Sequence, residues 1–383
     1  MTARRAIKTR SSLPQVKRIV VKVGSSSLTS LAGGISDEAL VKLSNVIAAR
    51  RKEGIEIILV SSGAISAGVS PLGLTSRPRH LSSQQAAASV GQGLLMARYH
   101  DAFAAHGVIV GQVLLTLDDL MRRSHHTNAH RAMERLLNFG VVPIVNENDA
   151  VASQEIRFGD NDRLAALVAH LVKADVLVLL SDVDSLYDGP PKDGAKRIPE
   201  VSGPKDLEGV NIGSTGAAGT GTGGMATKVE AAIIAASSGI PALVTSTDNA
   251  EDALAGKDVG TWFSAKGRRK PIRKLWLEHV ARIQGSLIVD DGAAKAVGEK
   301  RRSLLPAGIV EVKGNFESGD PVAITNQHGV AIAHGLVNYD SKELPQMLGR
   351  STRELAKELG HEYERSVVHV DDLVLLRKRL PTS

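Results

Sequence analysis

The sequence contains no cysteine. That absence excludes disulfides, thiolate nucleophiles and Cys-ligated zinc, and it fits a reducing, cytoplasmic location. Aromatic residues are scarce at 3%, too few for the stacking platforms that bind single-stranded nucleic acid. No apolar run approaches the roughly 18 residues a membrane-spanning helix needs. There is also no G-K-[ST] triplet anywhere in the chain, so a Walker A phosphate loop is excluded.

Acidic residues are missing from one place, and this explains the net charge of +6. Residues 1–20 carry Arg4, Arg5, Lys8, Arg10, Lys17 and Arg18 without any Asp or Glu. Of 47 Lys and Arg these are six, so the rest of the chain balances its 41 Asp and Glu. The basic character therefore belongs to a leader, not to the folded body. The leader has no apolar segment of the secretory kind. Its composition faintly resembles an organellar presequence, and the plainer expectation is a disordered extension over residues 1–17.

What is abundant is aliphatic side chain. Hydrophobic residues make up 43% of 383 residues, enough for two cores. From residue 18 to about 261, short β-branched runs alternate with longer helical stretches. Strands are expected at Ile19–Val23, Ile55–Val60, Val108–Leu115, Val141–Val145, Asp175–Leu180 and Ile240–Thr245. Helices are expected near Asp37–Arg51, Ser82–Ala105, Asn128–Asn138, Asp162–Lys173 and Thr227–Ser238. The strands read as continuous apolar runs, which means burial on both faces. The expected fold is α/β, an αβα sandwich around a mainly parallel sheet. In such sheets ligands bind beyond the carboxyl ends of the strands.

After about Glu278 the texture changes. Residues 285–338 hold short strands punctuated by Asp291-Gly292, Lys313-Gly314-Asn315, Ser318-Gly319-Asp320 and Gln327-His328-Gly329. This predicts a small β-rich second domain over residues 284–376, behind a first domain over 18–278.

The residues following each strand carry the chemistry. The first strand ends Val20-Val21-Lys22-Val23-Gly24-Ser25. A lysine at the end of a buried strand needs an anionic partner, and the following Gly and Ser offer donors to phosphate oxygens. The second strand ends Ser61-Ser62-Gly63-Ala64, where small residues allow close approach of a ligand. An ordinary glycine turn fits this segment equally well. The fourth ends Asn146-Glu147-Asn148-Asp149-Ala150, and Gly159-Asp160-Asn161-Asp162 follows. One of these acids or amides caps a helix, but capping does not account for Asn146, Asp149, Asn161 and Asp162 together. The fifth ends Ser181-Asp182, which reads as a nucleotide contact or as a plain turn. Residues Gly219-Thr220-Gly221-Thr222-Gly223-Gly224 spell G-x-G-x-x-G without a preceding strand, so the dinucleotide fingerprint fails. What remains is Thr222-Gly223-Gly224-Met225-Ala226-Thr227-Lys228 opening a helix, an anion cradle with one lysine. His126, His130 and Glu134 fall on one helix face, but no second ligand-bearing segment accompanies them.

In this order these segments resemble the amino acid kinase family, from about Arg18 onward. Leu304-Leu305-Pro306-Ala307-Gly308 and Gly314-Asn315-Phe316 resemble the PUA domain appended to some of its members. The resemblance is close to the branch that phosphorylates the γ-carboxylate of L-glutamate, at the start of proline biosynthesis. It implies ATP and Mg²⁺ as cofactors; the metal is expected to ride mainly on the nucleotide with few protein ligands, so no residue is assigned to hold it. It implies catalytic roles for Lys22, Asp162 and Lys228, with Asp162 orienting the two lysines. Ser62, Asp149 and Asn161 would bind glutamate. Lys22, Ser181, Asp182, Thr222, Gly223, Gly224, Met225, Ala226, Thr227 and Lys228 would line the nucleotide site. At Ser181 the family pattern has Thr, a departure that keeps the hydroxyl. The resemblance further implies feedback inhibition by proline, a glutamyl phosphate reductase as partner, and a homo-oligomer. A kinase of the same family acting on another acid, an RNA-binding protein and a regulatory paralogue are the competing readings. RNA is disfavoured as a partner, because residues 279–383 carry as many acidic as basic residues.

Overall fold

The computed structural model describes residues 7, 9–28, 34–151, 160–189, 194–210, 224–266, 272–279 and 283–376. The chain divides into two units, Met1–Arg269 and Lys270–Ser383. No helix among the described residues is long and apolar enough to cross a membrane.

In the first unit the apolar runs become strands, and the segments between them become helices. The chain passes through β1 (Arg18–Val23), α1 (Asp37–Lys52), β2 (Glu56–Ser61), α2 (Ala64–Val69), α3 (Leu81–Ala104) and β3 (Val110–Leu115). It continues through α4 (Leu117–Met121), α5 (Arg123–Asn138), β4 (Val142–Glu147), α6 (Asn161–Leu171) and β5 (Val176–Ser181). The last elements are β6 (Glu200–Val201), α7 (Met225–Ser237), β7 (Ala242–Ser246), α8 (Ala250–Leu254) and β8 (Thr261–Phe263). All eight strands join one sheet in the order β3-β4-β2-β1-β5-β7-β8-β6. It is parallel except where β8 runs against β7. The six expected strands are β1 to β5 and β7. The short β6 and β8 carry too few residues to show a pattern of their own.

Strand β1 lies at the centre, buried along its whole length. Because side chains alternate faces, Ile19, Val21 and Val23 join the core under α1 and α3, with Leu40, Leu43, Ile47, Leu95 and Tyr99. Val20 and Lys22 face the other side, where α6 packs on β1. The strand that supplies the core therefore also delivers one lysine to the opposite layer.

The leader departs from expectation. Residues 10–15 form a short 3-10 turn, and Leu13 and Val16 are buried in the main core. Arg10 pairs with Asp258 at 2.5 Å and donates to the Val259 carbonyl at 2.9 Å. Two apolar side chains in a polar segment, plus a charge with a partner, order what composition alone describes as a disordered tail. Residues 1–6 and 8 of that leader lie outside the described residues.

The second unit holds α9 (Ile272–His279), β9 (Gly285–Val289), α10 (Asp291–Gly298), β10 (Ile309–Gly314), β11 (Pro321–Asn326), β12 (Ala331–Val337), α11 (Thr352–Leu359) and β13 (Val368–Leu375). Its sheet runs β10-β9-β11-β12-β13, parallel only between β9 and β11. Gly314, Gly319 and Gly329 all take positive φ, as their turns require. Residues 272–278, assigned by sequence to the first domain, belong to this second unit. Helix α9 buries Leu275, Trp276 and Leu277 and packs on β12 and β13.

One close approach in the first unit holds the segment after β2 in place. A Cβ on Gly68 would sit 2.0 Å from the Ala87 carbonyl oxygen, and one on Gly91 would sit 1.8 Å from that of Ala64. Helices α2 and α3 thus meet backbone to backbone. Gly91→Ala should destabilise the protein by about 1–3 kcal/mol, since neither backbone can yield without repacking. Gly93→Ala, two residues on with nothing within 4 Å of its added Cβ, should be neutral or stabilising by up to about 1 kcal/mol. Thermal denaturation of the two variants checks the contrast.

Candidate active site

Asp162 is the centre of the site. Helix α6 begins with Asp160 as its cap, whose Oδ1 accepts the Asp162 N–H at 2.8 Å. This fixes Asp162 in the first turn, fully buried beneath the sheet end. Its Oδ1 lies 2.5 Å from Lys22 Nζ. Its Oδ2 accepts from Thr227 Oγ1 at 3.0 Å and from Lys228 Nζ at 3.3 Å. One carboxylate therefore joins the end of β1 to the first turn of α7. Both ammoniums are buried, at 2% and 5% exposure.

Burial by itself would neutralise such groups. It pushes the Asp162 carboxyl up, but the Lys22 and Lys228 ammoniums outweigh it and hold that carboxyl below the usual range. Burial likewise pulls Lys22 down, and Asp162 with Asp160 more than reverses it, so Lys22 stays charged. Asp160 itself is 3.8 Å from Lys22.

A second network adjoins the first. Asn161 Nδ2 faces the Ser61 carbonyl at 3.1 Å, Ser62 Oγ at 2.9 Å and Asn146 Oδ1 at 2.8 Å. Asn146 Nδ2 in turn donates to Gln92 Oε1 at 2.8 Å. The ends of β2 and β4, the start of α6 and the middle of α3 are thus linked by amides. The Ser61 hydroxyl, turned inward, pairs with the Tyr99 hydroxyl at 2.8 Å, and burial pushes that phenol well up. Ser62 sits just before Gly63, whose φ of +113° turns the chain into α2.

Asp149 lines an adjoining cavity of about 270 Å³ with Gln92, Ser89, Glu147, Asn148 and Ala64. Ser62, Asn161 and Asp149 are therefore brought to one region, with Asn146 and Gln92 connecting them. Gln92 escaped the sequence reading. Its signal was present: it lies four residues after Ala88, three before Leu95 and seven before Tyr99, a polar residue in the buried stripe of α3.

The residues expected at the nucleotide divide into four groups. Lys22, Thr227 and Lys228 converge on Asp162. Gly224, Met225 and Ala226 open α7, where Gly224 supplies no side-chain cap. Ser181 and Asp182 share the sheet end with Lys22, since Val23 pairs with Leu180. They bond to each other instead, Ser181 Oγ donating to Asp182 Oδ1 at 2.9 Å. Thr222 and Gly223 lie outside the described residues, as does the stretch 213–221. Among the described residues no cluster of His, Asp and Glu is placed to hold a metal ion. Glu134, once aligned with His126 and His130, pairs with Arg18.

The family model described as the amino acid kinase family matches residues 17–246, and that of the PUA domain matches residues 285–359. A glutamate 5-kinase of Streptomyces avermitilis is 61% identical over 96% of this chain and 99% of its own length. That of Streptomyces coelicolor is 62% identical over 96% and 98%, and that of Thermobifida fusca 59% over 96% of each. Among solved structures, the carbamate kinase of Giardia lamblia bound to AMP-PNP superposes with a TM-score of 0.50 at 17% identity. It covers 66% of this chain and 100% of its own, a likeness of fold.

Removing the shared carboxylate strands two buried ammoniums. Asp162→Asn should cost about 3–5 kcal/mol at neutral pH, read by thermal or urea denaturation. Because the folded carboxyl titrates below its unfolded value, its contribution is present above about pH 4 and lost only as pH falls through the lower, folded value. Lys22 is shifted upward, so its contribution is lost only as pH rises through its raised value, beyond the usual lysine range. The stability gap between wild type and variant should thus be present at neutral pH and close in acid, as pH falls through the folded Asp162 value.

Proposed function

Since the chain belongs to the amino acid kinase family, we infer that it uses ATP to phosphorylate the side-chain carboxylate of L-glutamate. The product is glutamyl 5-phosphate, and the step opens proline biosynthesis. The relatives named above support the substrate. The observation that carries the chemistry is the pair of buried ammoniums held on one carboxylate at the mouth of the sheet.

A γ-carboxylate with a pKa of about 4.3 is ionised at neutral pH, so the nucleophile needs no general base. The work left to the protein is in-line placement and stabilisation of charge spread over the transferring phosphoryl oxygens. In this reading Ser62, Asn161 and Asp149 hold the acceptor. Lys22 and Lys228 hold donors toward the phosphates. Each ammonium has three N–H donors, and Asp162 takes one from Lys228. Asp162 aims the lysines without titrating itself, since its carboxyl is held below the usual range.

Two features suit a phosphate chain. Helix α7 starts without a side-chain cap, leaving its first-turn amides for an anion. At Gly24 a Cβ would stand 3.7 Å from Lys22 Nζ, so its absence leaves space beside that ammonium. Gly224 to Lys228, with Thr222, Gly223, Ser181 and Asp182, are assigned to the nucleotide. Mg²⁺ carried on the nucleotide would add charge neutralisation there, with few ligands from the protein.

The product is a mixed anhydride that water attacks readily, which favours prompt transfer to a glutamyl phosphate reductase. The reading further assigns a cytoplasmic homo-oligomer inhibited by proline.

The test is ATP consumption with Mg²⁺ and glutamate, the product trapped with hydroxylamine, and acetylglutamate and aspartate run in parallel. Glutamate-dependent hydroxamate, suppressed by proline, is the expected result. Turnover of another acid alone would overturn the substrate assignment and leave the fold standing. In the same assay Lys228→Ala should lower kcat by at least about 100-fold, the scale of one charge-stabilising donor. An unchanged kcat removes Lys228 from the mechanism.

A further inference from the structure

One polar side chain of the first unit is buried, lines the cavity and has an unused end. Gln92 is 8% exposed in the middle of α3 and faces the space lined by Asp149, Asn148 and Ser89. The hydrogen bonds around it decide which way its amide points. The Ser61 carbonyl can only accept, so Asn161 presents Nδ2 to it. Asn146 Oδ1 accepts from Asn161 and also from the Glu147 N–H at 2.9 Å, a group that can only donate. Asn146 must then turn Nδ2 toward Gln92, and Gln92 must answer with Oε1. That leaves Gln92 Nε2 buried with no hydrogen-bond partner. A buried donor left unpaired is costly and marks a group kept for a ligand.

We propose that Gln92 is a substrate-binding residue that donates its Nε2–H to the α-carboxylate of the amino-acid acceptor. This rests on the glutamate kinase reading and adds the orientation of the substrate. The acidic groups beside Gln92 in the cavity, Glu147 and Asp149, suit the α-ammonium and repel a carboxylate. The carboxylate needs a neutral or cationic donor, and the free amide of Gln92 is one. The amide relay runs from Gln92 through Asn146 to Asn161, and the next residue is Asp162, which holds both lysines. A γ-carboxylate placed at the lysines therefore puts the amino-acid head at the Gln92 end.

The decisive variant is Gln92→Glu. It keeps an acceptor for Asn146 Nδ2 and replaces only the unpaired donor by a second acceptor. At about pH 8 the KM for glutamate should rise at least about 100-fold, while the KM for ATP stays within about two-fold. A carboxyl buried beside the substrate carboxylate has a raised pKa. Lowering the pH to about 6 should then restore an O–H donor and narrow the glutamate KM gap to wild type by about tenfold. Gln92→Leu, which deletes the amide, should raise the glutamate KM about 10- to 100-fold with no such pH dependence. Melting temperatures of both variants confirm that folded protein is compared, and either variant suffices if the other does not fold. A glutamate KM within about threefold of wild type would overturn the proposal. So would equal losses toward glutamate and ATP without pH recovery, which place Gln92 as a support for Asn146. Wild-type enzyme inert toward glutamate would instead sink the functional reading itself.

Discussion

A single buried carboxylate holds the candidate site together. Asp162 gathers Lys22 from the central strand and Lys228 from the start of α7, two segments more than 200 residues apart in sequence. Isolated, each ammonium would be expelled from the interior or lose its proton. Joined, Asp162 and Lys22 hold each other in the charged form, and both lysines remain as donors in a region from which water is largely excluded. The arrangement explains why α6 must be capped in one way: Asp160 takes the Asp162 N–H, and the side chain of Asp162 is free for the lysines.

That ion cluster depends on the sheet in a simple way. Alternation along β1 puts Ile19, Val21 and Val23 into one layer and Lys22 into the other. A slip of one residue in the pairing of β1 with β2 or β5 would exchange them, burying the ammonium among leucines. The register that maximises apolar burial and the register that pairs the charge are therefore the same one. Agreement between the two levels is what favours a single native arrangement.

Much of this was legible beforehand, and the reasons differ by element. The central strands announce themselves as unbroken apolar runs, and Lys22, Asn161, Asp162 and Lys228 stand where strands or glycine loops end. Asp162 at a helix start could be read as a cap, and the structure gives that duty to Asp160. Gln92 was overlooked because it is one of several polar residues in a 24-residue helix, and its place in the apolar stripe of α3 gains meaning only once the helix has a partner. Helix α9 was misassigned because Leu275, Trp276 and Leu277 show that it is buried but not against which sheet. Residues 9–17 were read by charge, while Leu13 and Val16 decided their fate. In each miss, the local pattern gave the type of residue correctly and long-range packing chose its neighbour.

The packing of that first turn has a consequence for how the protein is made. Arg10 meets Asp258, a residue 248 positions later in the chain. Synthesis proceeds from the amino end, so residues 10–16 leave the ribosome long before the loop at Asp258 that they pack against. Until β8 and the loop before it emerge, Leu13 and Val16 have no complete burial site and Arg10 lacks its ion pair with Asp258. The turn at residues 10–15 thus serves as a closing seam of the first unit, completed by residues from the far end of its sheet.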